Sequence, residues 1–307
     1  MSEGTIPAPS VPRGPSRPAR PNCFIAGGIR CGTTWLHAAL ASHPDVCASP
    51  VEKELRFFDR FYDRGVEWYH GHYPARTTSR WVLDSSPSYL DGESVVDRLH
   101  AYEPDARLIF LLRDPVRRAY SDYCRHLNAR HATFDIPTEL APHSPVVQHG
   151  LYYRHLQAYL QRFRPEQMLI ALYDDLEQDP KAFLDRVLRF LEISIDHTPP
   201  NLRLRTNETK PLKRWPLLHE VLRRGYHSLL HVPVVGTYVF RLRSENAFEF
   251  YHRLNCSPNR DYPPFTADLQ SRLADFYRPD VEALAEWLQV DLSHWLQIKE
   301  SPQLAGT

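Results

Sequence analysis

Short apolar runs alternate along this chain with stretches whose apolar positions recur at helical spacing. Residues 23–26 are a short apolar run suited to a buried strand. Gly27, Gly28 and Gly32 then make a turn, and the pattern becomes helical from Thr33 to Leu40. Ser42-His43-Pro44-Asp45 ends that helix, since proline cannot continue it. Residues 80–84 predict a second short strand ending in an acid. A turn at 85–89 and a helix over 92–102 follow. The clearest buried strand lies within 107–113, where five consecutive apolar residues are closed by Arg113-Asp114-Pro115. Pro115 suits a first helical position, and that helix runs to about Asn128.

Residues 131–149 read as loop, with Pro137, Pro142 and Pro145. Residues 151–163 predict a helix, 168–173 another buried strand, and 180–191 a further helix. Strands alternating with helices predict an α/β fold: three layers, with a central parallel sheet and helices on both faces. Residues 196–262 are less regular and carry a candidate helix at 215–225; they predict a lid or substrate-facing insert. Two closing helical stretches are expected at 266–276 and 279–289, ending near Trp295. The proline-rich segment 1–21 predicts a disordered tail, 22–296 a single domain, and 297–307 a frayed end. No internal repeat is visible.

Composition narrows the classes. Hydrophobic residues make up 42% of the 307 residues, enough for a substantial core. The formal net charge is zero, which gives no case for a nucleic-acid partner. Five scattered cysteines, Cys23, Cys31, Cys47, Cys124 and Cys256, form no CxxC pair. Reduced thiols and a cytoplasmic location are therefore expected. No apolar run approaches the length of a membrane-spanning helix.

The strand, glycine turn and helix start over residues 22–36 form a candidate phosphate cradle. Free backbone N–H groups and the helix dipole converge on one point there. The spacing Gly27-x4-Gly32 matches the first half of a nucleotide-triphosphatase P-loop. The second half does not match: Thr33-Thr34 stand where Lys then Ser/Thr belong, and the loop's cation is Arg30. That argues against ATP hydrolysis and for a different phosphate-bearing donor; a plain glycine-rich turn is the alternative. Arg113, directly after a buried strand, needs an anion. Either a ligand phosphate or a carboxylate such as Asp114 or Asp122 meets that need. Ser121 on the following helix is placed to offer a hydroxyl to the same anion. Two phosphate sites imply a nucleotide with phosphates on two positions of its sugar. Lys53 and Glu54 are adjacent opposite charges beside an aromatic stretch, 57–73, whose Phe57 and Phe58 read as core. Their alternative reading is a surface pair.

These motifs together resemble the sulfotransferases that use 3′-phosphoadenosine 5′-phosphosulfate (PAPS). Gly27-Gly-Ile-Arg-Cys-Gly-Thr-Thr-Trp-Leu36 resembles the family's 5′-phosphosulfate loop. Leu108-Ile-Phe-Leu-Leu-Arg-Asp-Pro-Val-Arg-Arg-Ala-Tyr-Ser121 resembles its 3′-phosphate motif. His43-Pro-Asp, Lys53-Glu-Leu-Arg-Phe-Phe-Asp59, Trp68-Tyr69, Ser86-Pro87-Ser88-Tyr89 and Gly150-Leu-Tyr152 resemble the heparan-sulfate branch and its bacterial relatives. The resemblance covers residues 22–192 well and 263–295 loosely. It implies Arg30, Cys31, Gly32, Thr33, Thr34 and Trp35 at the 5′-phosphosulfate, and Arg113 and Ser121 at the 3′-phosphate. It places Glu54 as general base. A carboxylate beside aromatic residues loses hydration, so its pKa is expected to rise toward the working range. Arg30 stands where the family usually has a lysine, and a planar fork differs in geometry from a compact ammonium. Ser85 stands where the heparan branch commonly has a lysine, a role left vacant or taken by Lys53. The implied reaction is direct in-line transfer to a hydroxyl or amine of a small-molecule or glycan acceptor, without a metal. The chain's neutrality favours a small acceptor over a long anionic polysaccharide. His37 and His43 flank the site as accessory candidates. The sixteen histidines show no metal-binding spacing. A small-molecule kinase and a non-catalytic nucleotide-binding relative are the rival readings. The sequence gives no oligomeric state.

Overall fold

The computed structural model describes residues 17–92, 94–129, 131–197, 199 and 262–298. The expected helix at 215–225, nearly all of the 196–262 insert and the outer parts of both tails lie outside the described residues. The chain divides into two compact units, residues 1–113 with 152–205 and residues 114–151 with 206–307.

In chain order the first unit begins with β1 (Arg17–Pro18), β2 (Cys23–Gly27), α1 (Thr33–Ala41), β3 (Val46–Ala48), α2 (Phe57–Arg60) and α3 (Gly65–His70). It continues with β4 (Arg76–Thr77), β5 (Trp81–Ser85), α4 (Val95–Tyr102) and β6 (Arg107–Leu112). The second unit contributes α5 (Pro115–Asn128), α6 (Ile136–Glu139) and α7 (Pro145–Gln148). The first unit resumes with α8 (Tyr152–Leu160), β7 (Met168–Leu172), α9 (Tyr173–Gln178) and α10 (Pro180–Phe190).

Five strands form one parallel sheet in the order β3-β5-β2-β6-β7. The apolar runs take the middle: every residue of β2 and β5 is buried, as are Leu108 to Leu112 of β6. The chain leaves β2 toward β3 and β5 on one side, then crosses to β6 and β7 on the other. The carboxyl ends of β5, β2 and β6 therefore flank the point where the winding reverses, the place where open α/β sheets bind ligands. Helices flank the sheet as the alternation of elements implies.

Three differences from the sequence pattern have physical reasons. β3 is only three residues long, too short for a visible alternation, and pairs with β5 through Val46, Cys47 and Ala48. β5 runs one residue past Asp84, which puts Ser85 in the sheet. Arg17 and Pro18, within the expected tail, pair antiparallel with Thr77 and Arg76.

The aromatic stretch forms a compact cluster. Phe57 and Phe58 are fully buried, the Phe57 ring stacks on Tyr69 with centroids 4.4 Å apart, and Phe58 meets Phe24 edge-on at 5.9 Å. Each buried phenylalanine contributes about 1.5–3 kcal/mol relative to exposure. α10 starts as its sequence suggests: Asp179 accepts from the N–H groups of Lys181 and Ala182, with Pro180 in the first turn.

In the second unit, Asp114 caps α5 by accepting from Val116 and Arg117 N–H at 2.9 and 3.0 Å, with Pro115 in the first turn. The 131–149 segment, expected as loop, contains α6 and α7, each with a proline in its first turn. The two expected closing helices are one continuous helix, Ala267–Leu288, with Pro279 inside. Its buried stripe of Leu273, Tyr277, Val281 and Leu284 runs past the proline, so packing overrides the breaker. The helix ends at Gln289 in the left-handed region (φ 56°), and Trp295 beyond it is fully buried. Asp122 is buried among Arg118, Arg125, His126 and His149. Burial acts to raise its pKa, but His149 and the two arginines hold the carboxyl far below the usual range. Among the described residues no helix is long and apolar enough to cross a membrane. Among them, too, no three His, Cys, Asp or Glu side chains are placed to hold a metal ion.

Candidate active site

The glycine turn closes tightly onto the sheet. Gly28 N–H donates to the Leu111 carbonyl of β6 at 2.6 Å. A Cβ at Gly27 would lie 2.8 Å from Leu90 Cβ, so a side chain there has no room. Gly32 has φ +90°, and a Cβ there would lie 2.9 Å from the Tyr173 ring. The left-handed turn and the close approach both require glycine at 32. α1 follows directly with no side-chain cap and no acid in its first turn. Its first N–H groups lack intrahelical acceptors by construction, which makes this end a fitting seat for an anion.

Lys53 reaches this helix start. Its Nζ lies 3.4 Å from Thr33 Oγ1, 3.2 Å from Thr34 Oγ1 and 3.2 Å from Glu54 Oε1. The two partners differ in exposure: the Lys53 side chain is 19% exposed and that of Glu54 51%. The desolvation expected for Glu54 thus falls on Lys53 instead, because the aromatic rings pack beneath the segment rather than around the carboxylate. Burial pushes the Lys53 pKa below its ordinary value. Glu54 opposes that shift, and the positive charge of Arg30 adds to it. Arg30 itself adopts the left-handed region inside the loop, with φ 64°.

Ser85 ends β5 beside the same helix, and its Oγ lies 2.8 Å from His37 Nδ1. Burial, and then the charge of Lys53, lower the His37 pKa to about 4. His37 is thus neutral at physiological pH. His43 is a structural residue: Nδ1 accepts from Asp45 N–H at 3.1 Å, leaving Nε2 to donate to the Ser194 carbonyl at 3.0 Å.

Two sequence-predicted loop residues turn their side chains into packing. Cys31 is fully buried, with Sγ 3.6 Å from the Tyr152 hydroxyl, which donates to the Arg113 carbonyl at 2.8 Å. Trp35 is half-buried and meets Phe183 edge-on at 6.1 Å. Arg113 lays its guanidinium over the Tyr173 ring, 4.7 Å from the centroid, and that same ring abuts Gly32. No carboxylate pairs with Arg113 among the described residues. Ser121 lies half-buried on α5 in the second unit.

Within the first unit the fold therefore gathers the glycine loop, Thr33, Thr34, Lys53, Glu54, His37 and Ser85, with Arg113 stacked against the loop's tyrosine neighbour. Sequence reasoning did not assign Tyr173 to the site or Asp84 to its support. The sequence places the Asp84–Tyr89 turn at the carboxyl ends of the strands, where ligands bind, but gives Asp84 itself no role. Tyr173 was placed in the preceding strand, although it begins α9.

The sulfotransferase domain family model matches residues 20–218. Over 271 residues the chain is 30% identical to human heparan sulfate glucosamine 3-O-sulfotransferase 3B1, covering 84% of this chain and 61% of the relative. Over 198 residues it is 34% identical to the mouse heparan sulfate glucosamine 3-O-sulfotransferase 6, covering 60% of this chain and 56% of the relative. The chain thus spans 56–61% of the length of these curated relatives. A crystal structure of a sulfotransferase from Alicyclobacillus acidocaldarius superposes with a TM-score of 0.65 at 24% identity, over 91% of this chain and 99% of that one. The chain belongs to the sulfotransferase domain family, and its fold is that of the bacterial structure.

Proposed function

We propose that this protein transfers a sulfuryl group from PAPS to a hydroxyl or amine of a glycan or small-molecule acceptor. The observation that carries the reading is the position of Lys53. It joins the helix start that seats the donor's 5′-phosphosulfate to the carboxylate that takes the acceptor's proton. In the step itself the acceptor oxygen or nitrogen bonds to sulfur as the bond from sulfur to the phosphate oxygen breaks. The acceptor's proton passes to Glu54, and adenosine 3′,5′-bisphosphate departs. Lys53 and Arg30 meet the charge that develops on the departing oxygen. A compact ammonium at 53 offsets the planar arginine at 30. Arg113 holds the 3′-phosphate, and the amides of the loop with Thr33 and Thr34 hold the phosphosulfate. Catalysis is then positioning plus fixed electrostatics.

Glu54→Gln tests the base. With labelled PAPS and a panel of glycan and hydroxylated or amine-bearing small acceptors, turnover falls by about 10²–10⁴-fold, the usual contribution of a general base. Binding of adenosine 3′,5′-bisphosphate stays unchanged. Full turnover in the variant removes Glu54 from the mechanism.

A further inference from the structure

Among the described residues no cation pairs with the buried carboxylate of Asp84. It is 1% exposed at the carboxyl end of β5. Oδ2 accepts from the hydroxyls of Tyr69 at 2.7 Å and Tyr89 at 2.9 Å, and Oδ1 accepts from Ser86 Oγ at 2.8 Å. The titratable groups most strongly coupled to it are Tyr69, Tyr73, Tyr89, Tyr102 and Asp59, none of them positive. Burying a carboxylate away from water is costly unless it is hydrogen-bonded, and these three hydroxyls are what hold it there.

Two of its three donors also accept. Ser86 Oγ receives the Arg56 N–H at 3.1 Å, and the Tyr89 hydroxyl receives the Phe58 N–H at 3.4 Å. Each hydroxyl has one proton. Committing it to Asp84 leaves the oxygen's lone pairs facing the backbone N–H groups. An ionised carboxylate, which only accepts, therefore sets the direction of both relays. The segment they grip is one that needs holding: Arg56 is a non-glycine residue at φ 52°. Such a conformation persists only where its surroundings over-determine it.

We propose that Asp84 is a positioning residue that acts through Ser86 and Tyr89 to fix the 53–58 segment, and with it Lys53 and Glu54. The catalytic consequence rests on the function proposed above; the grip on the segment does not. Burial pushes the Asp84 carboxyl up to about 6. Protonation would reverse one relay, so the grip weakens in mild acid.

The test uses the full chain with Asp84→Asn and Ser86→Ala. The asparagine keeps the shape but presents a donor where an acceptor stood. The alanine cuts the Arg56 relay and leaves Asp84 in place, so it carries the test if the first variant does not fold. Amide hydrogen exchange over 53–58 is measured in wild type and variants from about pH 5 to about pH 8, corrected for intrinsic chemistry. Turnover of labelled PAPS is measured alongside. The expected result is about tenfold or faster exchange confined to this segment in both variants. A fall in kcat of about tenfold or more, with the KM for PAPS within about twofold, accompanies it. Wild-type protection of the segment falls as pH drops through about 6. Folded variants with wild-type exchange at 53–58, or with exchange raised evenly through the sheet, overturn the proposal. If wild type neither turns over PAPS nor binds adenosine 3′,5′-bisphosphate, the functional reading fails, and the exchange data still decide the role of Asp84.

Discussion

Substituting His37 by asparagine should make the protein resist acid better than wild type. His37 ordinarily titrates at 6.5 and in the fold at about 4. The neutral imidazole is favoured in the folded state, so its contribution is complete above 6.5 and is lost as pH falls toward 4. At about 1.4 kcal/mol per pKa unit the full loss is about 3 kcal/mol, and about 2 kcal/mol of it is reached by about pH 4.5. Asp84 has the opposite sign. Its pKa is raised from 3.8 to about 6, so the folded state binds the proton more tightly and gains stability as pH falls through that window. That gain is also about 2 kcal/mol by about pH 4.5, and the two terms nearly cancel in wild type. Asp122, held far below the usual range, enters only below 3.8. His37→Asn removes one of the two opposing terms. Urea unfolding followed by tryptophan fluorescence at about pH 7 and about pH 4.5 measures the difference between variant and wild type. That difference should move by about 2 kcal/mol in the variant's favour on acidification. A difference that does not change with pH refutes the reasoning.

Lys53→Met should lower kcat by about 10²–10³-fold and also weaken adenosine 3′,5′-bisphosphate, whose 5′-phosphate carries the charge Lys53 meets, read by turnover of labelled PAPS and by calorimetry; unchanged kcat removes Lys53 from the chemistry. Gly32→Ala forces a side chain into φ +90° and against the Tyr173 ring. It should cost about 2–4 kcal/mol of stability in urea unfolding and weaken nucleotide binding, because the ring it displaces supports Arg113. A fully stable Gly32→Ala protein would contradict the turn geometry.

The sheet was legible where apolar runs are long and both faces are covered, as in β6, whose five consecutive apolar residues read as strand on sight. β3 was not, because three residues carry no period. The closing helix was divided at Pro279 because proline is a local signal, whereas the buried stripe that carries the helix past it is a tertiary one. The site shows the same split. Gly27, Gly28 and Gly32 announce the loop because their backbone demands are written in residue type. The approach of Lys53 to Thr33 and Thr34, across a β-strand and two loops, depends on how β3 pairs. Glu54 was read as desolvated because aromatic residues follow it in sequence; in space those rings face the core and leave the carboxylate half-exposed. The part played by Asp84, although its turn was placed at the site, and by Tyr173 was missed for a related reason. Their roles come from partners on other elements, Ser86 with Tyr89 in one case and Gly32 with Arg113 in the other.

The central claim is that one nucleotide carries two phosphates that are held separately. Thermal stabilisation by adenosine 3′,5′-bisphosphate, adenosine 5′-monophosphate and Mg-ATP at equal concentration tests it most directly. The account predicts a clear rise in Tm with the bisphosphate and little with the other two, and an Arg113→Ala variant that no longer distinguishes bisphosphate from monophosphate. Equal stabilisation by adenosine 5′-monophosphate, or a larger effect of Mg-ATP, would contradict it.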